Sequence, residues 1–209
     1  MMYINRTFKD GYFMSKRSKI YRVEPLRTTD EIEEMKWAIR RGNKGTPKRP
    51  ELAERDELIF LIGINTGLRV NDLVRLKVRY VRGRKTFQIR EGKTDKLREI
   101  TVGMLQDEIK RFIDGKQSDD YLFESQKGNN HITTTQVYRI LNDAANLLDR
   151  DDVGTHTMRK TFGYHHYRRF KDVAILQEIF NHSKPSVTMR YIGIRQDEIN
   201  ESLSDFRLG

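Results

Sequence analysis

The sequence predicts an α+β domain that is mainly helical and carries one small antiparallel β-sheet. Apolar residues recur at helical spacing through most of the chain after residue 28, whereas residues 80–102 break into short alternating runs around Gly83 and Gly92. The chain has 209 residues, a length that suits one globular domain with its own core. No internal repeat or low-complexity tract is present in the sequence.

The chain is predicted to consist of a basic N-terminal arm, residues 1–24, and one folded domain, residues 25–209. The arm is rich in basic and aromatic residues, shows weak periodicity and ends at Pro25, and Met14 within it is a second candidate start. The arm lacks an apolar stretch followed by a cleavage site of small residues. We therefore expect no secretory signal and a protein that stays in the cytoplasm.

Three helices are predicted in the first part of the folded domain. Thr28 is followed by acidic residues in one turn and by basic residues just before Gly42, which is typical of the two ends of a helix. A second helix, largely buried, covers residues 51–67, and a short third helix covers residues 69–78. We expect Trp37 in the core rather than stacked on a nucleic-acid base. The third helix is expected to turn these residues inward: Leu73, Val74 and Leu76.

The second part of the domain is predicted to be a β-hairpin region followed by helices. Short runs of β-branched and aromatic residues alternate with polar ones in residues 80–102, which indicates a small antiparallel sheet. Outside this region the remainder is expected to be helical. Helices are predicted at about residues 104–114, 134–148, 157–169 and 173–180, with short helical pieces at about 186–191 and 196–204.

The amino-acid composition favours a polyanionic partner. Lys and Arg total 40 against 30 for Asp and Glu, which gives a formal net charge of +10. An anionic membrane surface is the competing partner, but no apolar run approaches the roughly 20 residues that span a bilayer. The absence of cysteine excludes disulfides, zinc–thiolate sites and cysteine nucleophiles together. Any covalent catalysis must therefore use another side chain.

Three short motifs contain residue types that handle phosphate or protons: TGLRVNDLVRL at residues 66–76, HTMRKTF at 156–162 and NHSKPSVTMRY at 181–191. Each motif alone is weak, because His-x-x-Arg arises often by chance in a chain with 40 Lys and Arg residues. In this order, with a lysine-bearing hairpin between the first two, they resemble the tyrosine recombinases, the family of phage integrases and Xer resolvases. The resemblance covers about residues 25–204 and implies the catalytic-domain fold of that family.

The resemblance assigns the covalent chemistry to Tyr191. Its hydroxyl would attack phosphorus and leave a 3′-phosphotyrosyl bond and a free 5′ hydroxyl, so that no ATP is needed. His156 is implied as the acid or base that handles the tyrosine proton. Lys93 is implied as the hairpin lysine that protonates the departing 5′ oxygen, and Lys96 is a rival for that role.

The resemblance assigns the scissile phosphate to Arg69 and Arg159, because planar guanidinium groups donate paired hydrogen bonds to phosphate oxygens. His182 is implied as a further donor to the non-bridging oxygens. Asp72 matches an acidic position of the family and is expected to support the site without touching the phosphate. Asn181 stands where the family often has glycine, and asparagine tolerates the left-handed backbone conformation that such a glycine often supplies.

The resemblance also implies partners. We expect double-stranded DNA, a homo-oligomer that is typically a tetramer on paired sites, and an accessory DNA-bending protein as a further candidate partner. No cofactor and no catalytic metal are implied, because protein cations would form the phosphate clamp. A bacterial or phage-encoded, nucleoid-associated protein is expected. Full-length members usually carry a separate core-binding domain ahead of the catalytic domain, and this sequence shows none.

The same residues have plainer interpretations. Histidines on helices more often serve packing or solubility than catalysis, and Tyr191 is one of nine tyrosines, a residue type that usually packs in a core or stacks on a base. His165 and His166 are interpreted as packing residues or phosphate contacts. Two other functions stay open. One is a catalytically silent DNA-binding regulator, and the other is a relative of the type IB topoisomerases that relaxes supercoiled DNA without site preference.

Overall fold

The computed structural model describes residues 23–42, 49–194, 200–201, 203–204 and 206–207. Most of the predicted basic arm lies outside the described residues, and so do residues 195–199 of the last predicted helical piece. Residues 200, 201, 203 and 204 of that piece are helical.

Helices form most of the described chain and one hairpin interrupts them, which confirms the predicted mainly helical α+β class. Among the described residues, no helix combines the length and the apolar character needed to cross a bilayer. The elements are α1 (Thr29–Arg41), α2 (Pro50–Thr66), α3 (Val70–Leu73), α4 (Val78–Val81), β1 (Thr86–Arg90), β2 (Leu97–Thr101), a 3-10 turn (Gly103–Leu105), α5 (Gln106–Phe112), α6 (Thr134–Leu147), α7 (Thr155–Phe170), α8 (Val173–Phe180) and α9 (Pro185–Ile192).

Helix α1 is closed at both ends by the residues that the sequence indicated. Thr28 Oγ1 accepts a hydrogen bond from the backbone N–H of Glu31, and the Glu31 carboxylate accepts one from the backbone N–H of Thr28 at 3.0 Å. Gly42 follows the helix with a φ of 73°, a conformation that glycine adopts without steric penalty. Local sequence therefore determines where this helix begins and ends.

The predicted core position of Trp37 is wrong. Its side chain is 53% exposed and lies beside the guanidinium group of Arg41. The buried face of α1 carries Met35, Ala38 and Ile39 instead. The reason is the helical period, because residues three and four positions apart share a face and residue 37 points away from that face.

The main core lies between the first helices and α7. Helix α2 packs against both α1 and α7. Gly63 permits the close approach of α7, since a Cβ atom at this position would lie 2.5 Å from Met158 Sδ. Leu73, Val74 and Leu76 are fully buried, as predicted. The predicted extent of the third helix, residues 69–78, is wrong, because α3 ends at Leu73 and the chain turns at residues 74–75.

Strands β1 and β2 form the predicted antiparallel hairpin. Arg90 pairs with Leu97, so residues 91–96 form the connecting turn. The chain before the hairpin differs from the prediction, because α4 is a separate helical turn that begins at the end of the predicted third helix and runs into the segment expected to alternate. Its two ends, Val78 and Val81, are three positions apart and both fully buried, and a helical turn places such positions on one side.

A smaller apolar cluster joins α7, α8 and α9. Gly163 on α7 permits this packing, since a Cβ atom there would lie 2.6 Å from Ile192 and 2.7 Å from Phe180. Asn181 follows α8 in the left-handed conformation with a φ of 50°, in agreement with the tolerance expected of asparagine. The buried members of the cluster are Tyr164, Leu176, Phe180, Ile192 and Ile194.

Candidate active site

Two arginines from distant parts of the chain meet at the end of α8. Arg69 lies just before α3, and Arg159 lies on α7. Both donate a hydrogen bond to the carbonyl oxygen of Phe180, at 3.4 Å from Arg69 and 3.1 Å from Arg159. Arg159 also donates to the carbonyl oxygen of Gly67 at 2.5 Å, and it is 3% exposed. One shared backbone acceptor, the carbonyl oxygen of Phe180, thus holds the two guanidinium groups close together.

The positive charge of Arg69 repels that of Arg159 and disfavours the charged form of Arg159. Burial, together with the charge of Arg69, lowers the pKa of Arg159 to about 10. Arg159 remains charged at neutral pH, so the site keeps positive charge in a partly dehydrated place. A phosphate group would relieve this repulsion and would match the planar donor arrangement of guanidinium groups.

Glu91 places a buried carboxylate beside Arg69. Its Oε2 atom accepts hydrogen bonds from Arg69 at 2.6 Å and from Thr94 Oγ1 at 2.9 Å, and its Oε1 atom accepts one from Arg98 at 3.4 Å. Burial acts to raise the pKa of Glu91, but the hydrogen bonds from Thr94 and Arg69 and the charges of Arg69 and Arg98 outweigh it, so the pKa lies below its ordinary range. Glu91 is therefore ionised at neutral pH.

Tyr191 and His156 form a hydroxyl–imidazole pair. The Tyr191 hydroxyl lies 3.0 Å from His156 Nδ1, although the two residues are 35 positions apart in the chain. Tyr191 lies near the end of α9, and His156 lies in the first turn of α7. Helix α9 packs on α7, and this contact brings the two rings together edge to face. The distance and the chemistry suit transfer of the phenolic proton to the imidazole.

The pKa values of the pair are displaced in opposite directions. Burial raises the pKa of Tyr191, against the charges of Arg159 and Arg69. Desolvation by surrounding atoms, together with the charges of Arg159 and Lys160, lowers the pKa of His156. At neutral pH the tyrosine thus carries its proton and the histidine is an unprotonated base.

His182 is oriented by a buried threonine. Its Nδ1 atom lies 3.0 Å from Thr188 Oγ1, and Thr188 is fully buried on α9. The ring of His182 lies 5.2 Å from the ring of Tyr191 and 5.4 Å from that of Phe180. Because Thr188 holds Nδ1, Nε2 is the nitrogen that could donate to a substrate oxygen.

The two lysines of the hairpin turn differ in their surroundings. Lys93 is exposed on the turn, and it lies near enough to His156 for its charge to lower the histidine pKa. Lys96 instead donates a hydrogen bond from Nζ to Asn181 Oδ1 at 2.6 Å. The charge of Lys93 thus acts on His156 of the Tyr191 site, whereas Lys96 is held by Asn181.

Asp72 supports the hairpin turn from α3. Its Oδ1 atom accepts a hydrogen bond from the backbone N–H of Gly92 at 3.0 Å, and the residue is 7% exposed. Within the described part of the chain, its Oδ2 atom is buried without a hydrogen-bond partner. Asp72 thus contacts the residue directly before Lys93, which agrees with the supporting position that the sequence predicted for it.

The sequence profile of the phage integrase family matches residues 28–198 of the chain. The chain belongs to the phage integrase family. One relative is the probable integrase/recombinase YoeC of Bacillus subtilis (strain 168), 42% identical over 176 residues, which are 84% of this chain and 92% of YoeC. Another is the tyrosine recombinase XerA of Pyrococcus furiosus, 33% identical over 154 residues, which are 71% of this chain and 54% of XerA. The chain thus spans most of YoeC but about half of XerA, and the predicted resemblance to tyrosine recombinases is confirmed.

Solved structures of phage integrase relatives share the fold. A crystal structure of the XerH site-specific recombinase in a post-cleavage complex with its difH substrate superimposes with a TM-score of 0.66 and 21% identity, over 87% of this chain and 52% of XerH. A XerA recombinase structure gives a TM-score of 0.65 and 20% identity, over 90% of this chain and 66% of XerA. These likenesses confirm the predicted tyrosine-recombinase catalytic-domain fold.

Sequence reasoning missed part of the site in this family member. Glu91 and Arg98 were not singled out, although Glu91 pairs with both Arg69 and Arg98, and neither was Lys160, whose Nζ atom lies 5.4 Å from the centre of the Tyr191 ring. The alternation of buried and exposed residues along β1 could have indicated that Glu91 faces inward. Phe87 faces the core from β1, and residue 91 continues the same face at a period of two.

Two histidines of α7 serve packing rather than the site. His165 Nε2 lies 2.9 Å from the carbonyl oxygen of Leu26, and His166 packs between Phe162 and Phe170. The packing interpretation of both residues is therefore supported. Across the described ranges, no group of three or more His, Cys, Asp or Glu side chains has a geometry that could hold a metal ion.

Proposed function

We propose that the chain is a site-specific DNA recombinase that cleaves and rejoins DNA strands through a 3′-phosphotyrosyl intermediate. The observation that carries this proposal is the Tyr191 hydroxyl 3.0 Å from His156 Nδ1, at the edge of a site that holds the partly buried Arg69 and the buried Arg159. A tyrosine with a base at hydrogen-bond distance beside a phosphate-sized cluster of cations is equipped for phosphoryl transfer. Membership of the phage integrase family supports the same reaction.

In the proposed cleavage step, Tyr191 and His156 act together. Unprotonated His156 takes the phenolic proton as the Tyr191 oxygen forms a bond to phosphorus. The bond between phosphorus and the 5′ oxygen breaks, and the departing oxygen takes a proton from Lys93. The phosphate diester survives as a phosphotyrosyl ester, so a 5′ hydroxyl can later reverse the attack without ATP.

The proposed phosphate clamp consists of Arg69, Arg159 and His182. In this structure the arginines donate to backbone carbonyls at the end of α8 and α2, so their donor groups are already positioned. Phosphate oxygens would replace part of these contacts. Donors fixed in advance stabilise the extra negative charge of the transition state without further reorganisation.

The proposed substrate is double-stranded DNA, held by an oligomer. A formal charge of +10 favours a polyanion, and the XerH relative was crystallised with its DNA site. We propose that the protein acts as a homo-oligomer, a tetramer on two paired sites, with an accessory DNA-bending protein as a further partner. We also propose that it is a bacterial or phage-encoded protein of the cytoplasm that associates with the nucleoid. Equilibrium sedimentation of the protein with paired sites tests the oligomeric state.

A trapping experiment tests the nucleophile. The probe is a pool of short duplexes, each nicked beside a randomised block, so that the fragment released by cleavage diffuses away. We expect the wild-type protein to form a denaturant-resistant adduct with a subset of sequences, and Tyr191→Phe to form none. Tyr191→Phe changes no charge and should bind the selected DNA within about twofold of wild type.

Tyr138→Phe is the matched control, because Tyr138 is a partly exposed tyrosine on α6 and should leave adduct formation unchanged. A protein that binds duplexes of the pool tightly but forms an adduct with none of them would instead be a DNA-binding regulator. Relaxation of supercoiled plasmids regardless of their sequence would indicate a topoisomerase.

A further inference from the structure

Glu91 is a buried carboxylate outside the set of residues that the proposed reaction uses. It directly follows β1, and its side chain is 3% exposed. Lys, Arg, Asp and Glu are almost never fully buried unless they are paired, and here the pairing joins two arginines from different elements. Arg69 precedes α3 and Arg98 lies on β2, so one carboxylate ties the hairpin to the first arginine of the clamp.

The same residue closes the turn that carries Lys93. The backbone N–H of Glu91 donates to the carbonyl oxygen of Lys96 at 2.9 Å, and the carbonyl oxygen of Glu91 accepts from the N–H of Asp95 at 2.9 Å. The Glu91 side chain also accepts from Thr94 Oγ1. Backbone and side chain of a single residue therefore determine the shape of this turn.

A second carboxylate, that of Asp72, also holds the turn at the residue directly before Lys93. Asp72 accepts from the backbone N–H of Gly92, and Gly92 leaves room for this contact, since a Cβ atom there would lie 3.3 Å from Asp72 Oδ1. The two residues directly before Lys93 are thus both anchored, one to Arg69 and one to α3. Lys93 itself stays exposed, on a turn that cannot shift without breaking the partly buried hydrogen bonds of Glu91 and Asp72.

We propose that Glu91 is a positioning residue that couples Lys93 to Arg69. It keeps the proton donor at a fixed position relative to the arginines that bind the phosphate. This inference rests on the proposed recombinase function, in which Lys93 protonates the departing 5′ oxygen. Glu91 touches neither the substrate nor the reacting atoms. It acts by holding the turn at a fixed place relative to the arginine pair.

The first test measures cleavage by Glu91→Gln in a single turnover, with a nicked duplex recovered by the adduct selection. Glutamine keeps the size of the side chain but removes its charge, and its single amide oxygen cannot replace both carboxylate oxygens that accept from Arg69 and Arg98. We expect cleavage to slow by about 10²-fold, the low end of the contribution of a positioned proton donor. Binding of the same duplex should change far less than the cleavage rate.

A second substrate separates an effect through Lys93 from an effect through Arg69. In this duplex sulfur replaces the bridging 5′ oxygen at the scissile phosphate. A thiolate leaves without prior protonation, because thiols are much more acidic than alcohols. We expect Lys93→Ala and Glu91→Gln both to cleave the sulfur duplex within about threefold of wild type, since loss of a general acid no longer matters.

Glu99→Gln is the matched control, because Glu99 is exposed on β2 of the same hairpin and undergoes the same change of charge. Its cleavage rates should equal those of wild type on both duplexes. An equal defect of Glu91→Gln on the oxygen and sulfur duplexes, with Lys93→Ala rescued by sulfur, would overturn the inference and leave the proposed function intact. A wild-type rate of Glu91→Gln on the oxygen duplex would overturn it as well.

Failure of Lys93→Ala to recover on sulfur, while wild type still forms the adduct, would refute the role of Lys93 and the inference with it. If Glu91→Gln does not fold, as judged by its thermal unfolding, the variant Thr94→Val tests the coupling between Glu91 and Lys93 instead. Valine removes one hydrogen bond to Glu91 at a partly exposed position of the turn. Its smaller defect must likewise disappear on the sulfur duplex, and a defect that persists there overturns the coupling.

Discussion

Tyr191 and His156 are prepared for proton transfer by their surroundings. Burial keeps the phenol protonated at neutral pH, and the same crowded, positively charged site keeps the imidazole neutral. A neutral imidazole 3.0 Å from a phenol can act as the general base that removes the phenolic proton and so makes the phenol oxygen nucleophilic. Cationic neighbours such as Arg159 also stabilise the phenolate once it forms, so one feature of the site serves both residues.

The lowered pKa of His156 predicts the pH dependence of cleavage. The folded value lies below 6.5, the ordinary histidine value, so the unprotonated base is fully present at neutral pH and is lost only as the pH falls through the lowered pKa. The single-turnover cleavage rate should therefore be level near neutrality and fall on the acid side, with a midpoint below 6.5.

His156→Gln provides the comparison. It should cleave about 10²- to 10⁴-fold more slowly than wild type, because the general base is gone, and it should lack the acid-side fall that His156 causes. Rates measured across the acid and neutral range with the selected nicked duplex check both points. An acid midpoint above 6.5 would contradict the proton states assigned to the pair.

Side chains from separate elements of the fold meet at the end of α8. The carbonyl oxygen of Phe180 accepts from Arg69 and Arg159, Asn181 accepts from Lys96, and His182 follows immediately. Carbonyls in the last turn of a helix lack partners within the helix, so they are natural acceptors for arginine side chains. The position of α8 on α7 and α9 therefore determines how the clamp faces the nucleophile.

Gly163 makes that packing possible, and Gly163→Ala tests it. The added Cβ atom would lie 2.6 Å from Ile192 and 2.7 Å from Phe180, so α8 and α9 must move away from α7. Overpacking of this kind costs about 1–3 kcal/mol, and each kcal/mol lowers the melting temperature by about 2–4 °C in a domain of this size. Cleavage should be lost more severely than DNA binding, because α9 carries Tyr191.

Gly103→Ala is the control for this substitution. A Cβ atom there would lie 3.4 Å from the Lys85 side chain, an ordinary contact, so stability and cleavage should stay near wild type. Thermal unfolding and single-turnover cleavage of the two variants make the comparison. A Gly163→Ala protein with both properties unchanged would show that the α7–α9 contact is looser than described.

The whole molecule carries a charge of +10, and this predicts how DNA binding responds to salt. Each neutralised phosphate contributes a slope of about −0.9 in a plot of the logarithm of the binding constant against that of the salt concentration. With about six contacts, affinity should fall roughly 10³-fold between about 50 and 200 mM salt. Fluorescence anisotropy with a labelled duplex measures the slope.

Tyr191→Phe should give the same slope as wild type, because the substitution removes no charge. A binding constant that does not respond to salt would contradict the proposed recognition through the DNA backbone. The same titration with duplexes of unrelated sequence separates this general attraction from recognition of the selected site.

Several features follow from the sequence alone, because they depend on neighbouring residues. The capping residues Thr28 and Gly42 define α1, and alternation defines the hairpin. The order of the three motifs indicated the family and the candidate residues of the site. Local rules failed for Trp37, whose size suggested burial but whose place on the helix faces solvent, and for α4, a single buried turn too short to show a period.

Only the tertiary structure decides which side chains meet. The distance between Tyr191 and His156, the shared acceptor at Phe180 and the different surroundings of Lys93 and Lys96 all depend on how α7, α8, α9 and the hairpin pack. Glu91 shows the reason most plainly. In the sequence it is one acidic residue among 30, and its importance comes from burial between Arg69 and Arg98, which only the folded chain creates.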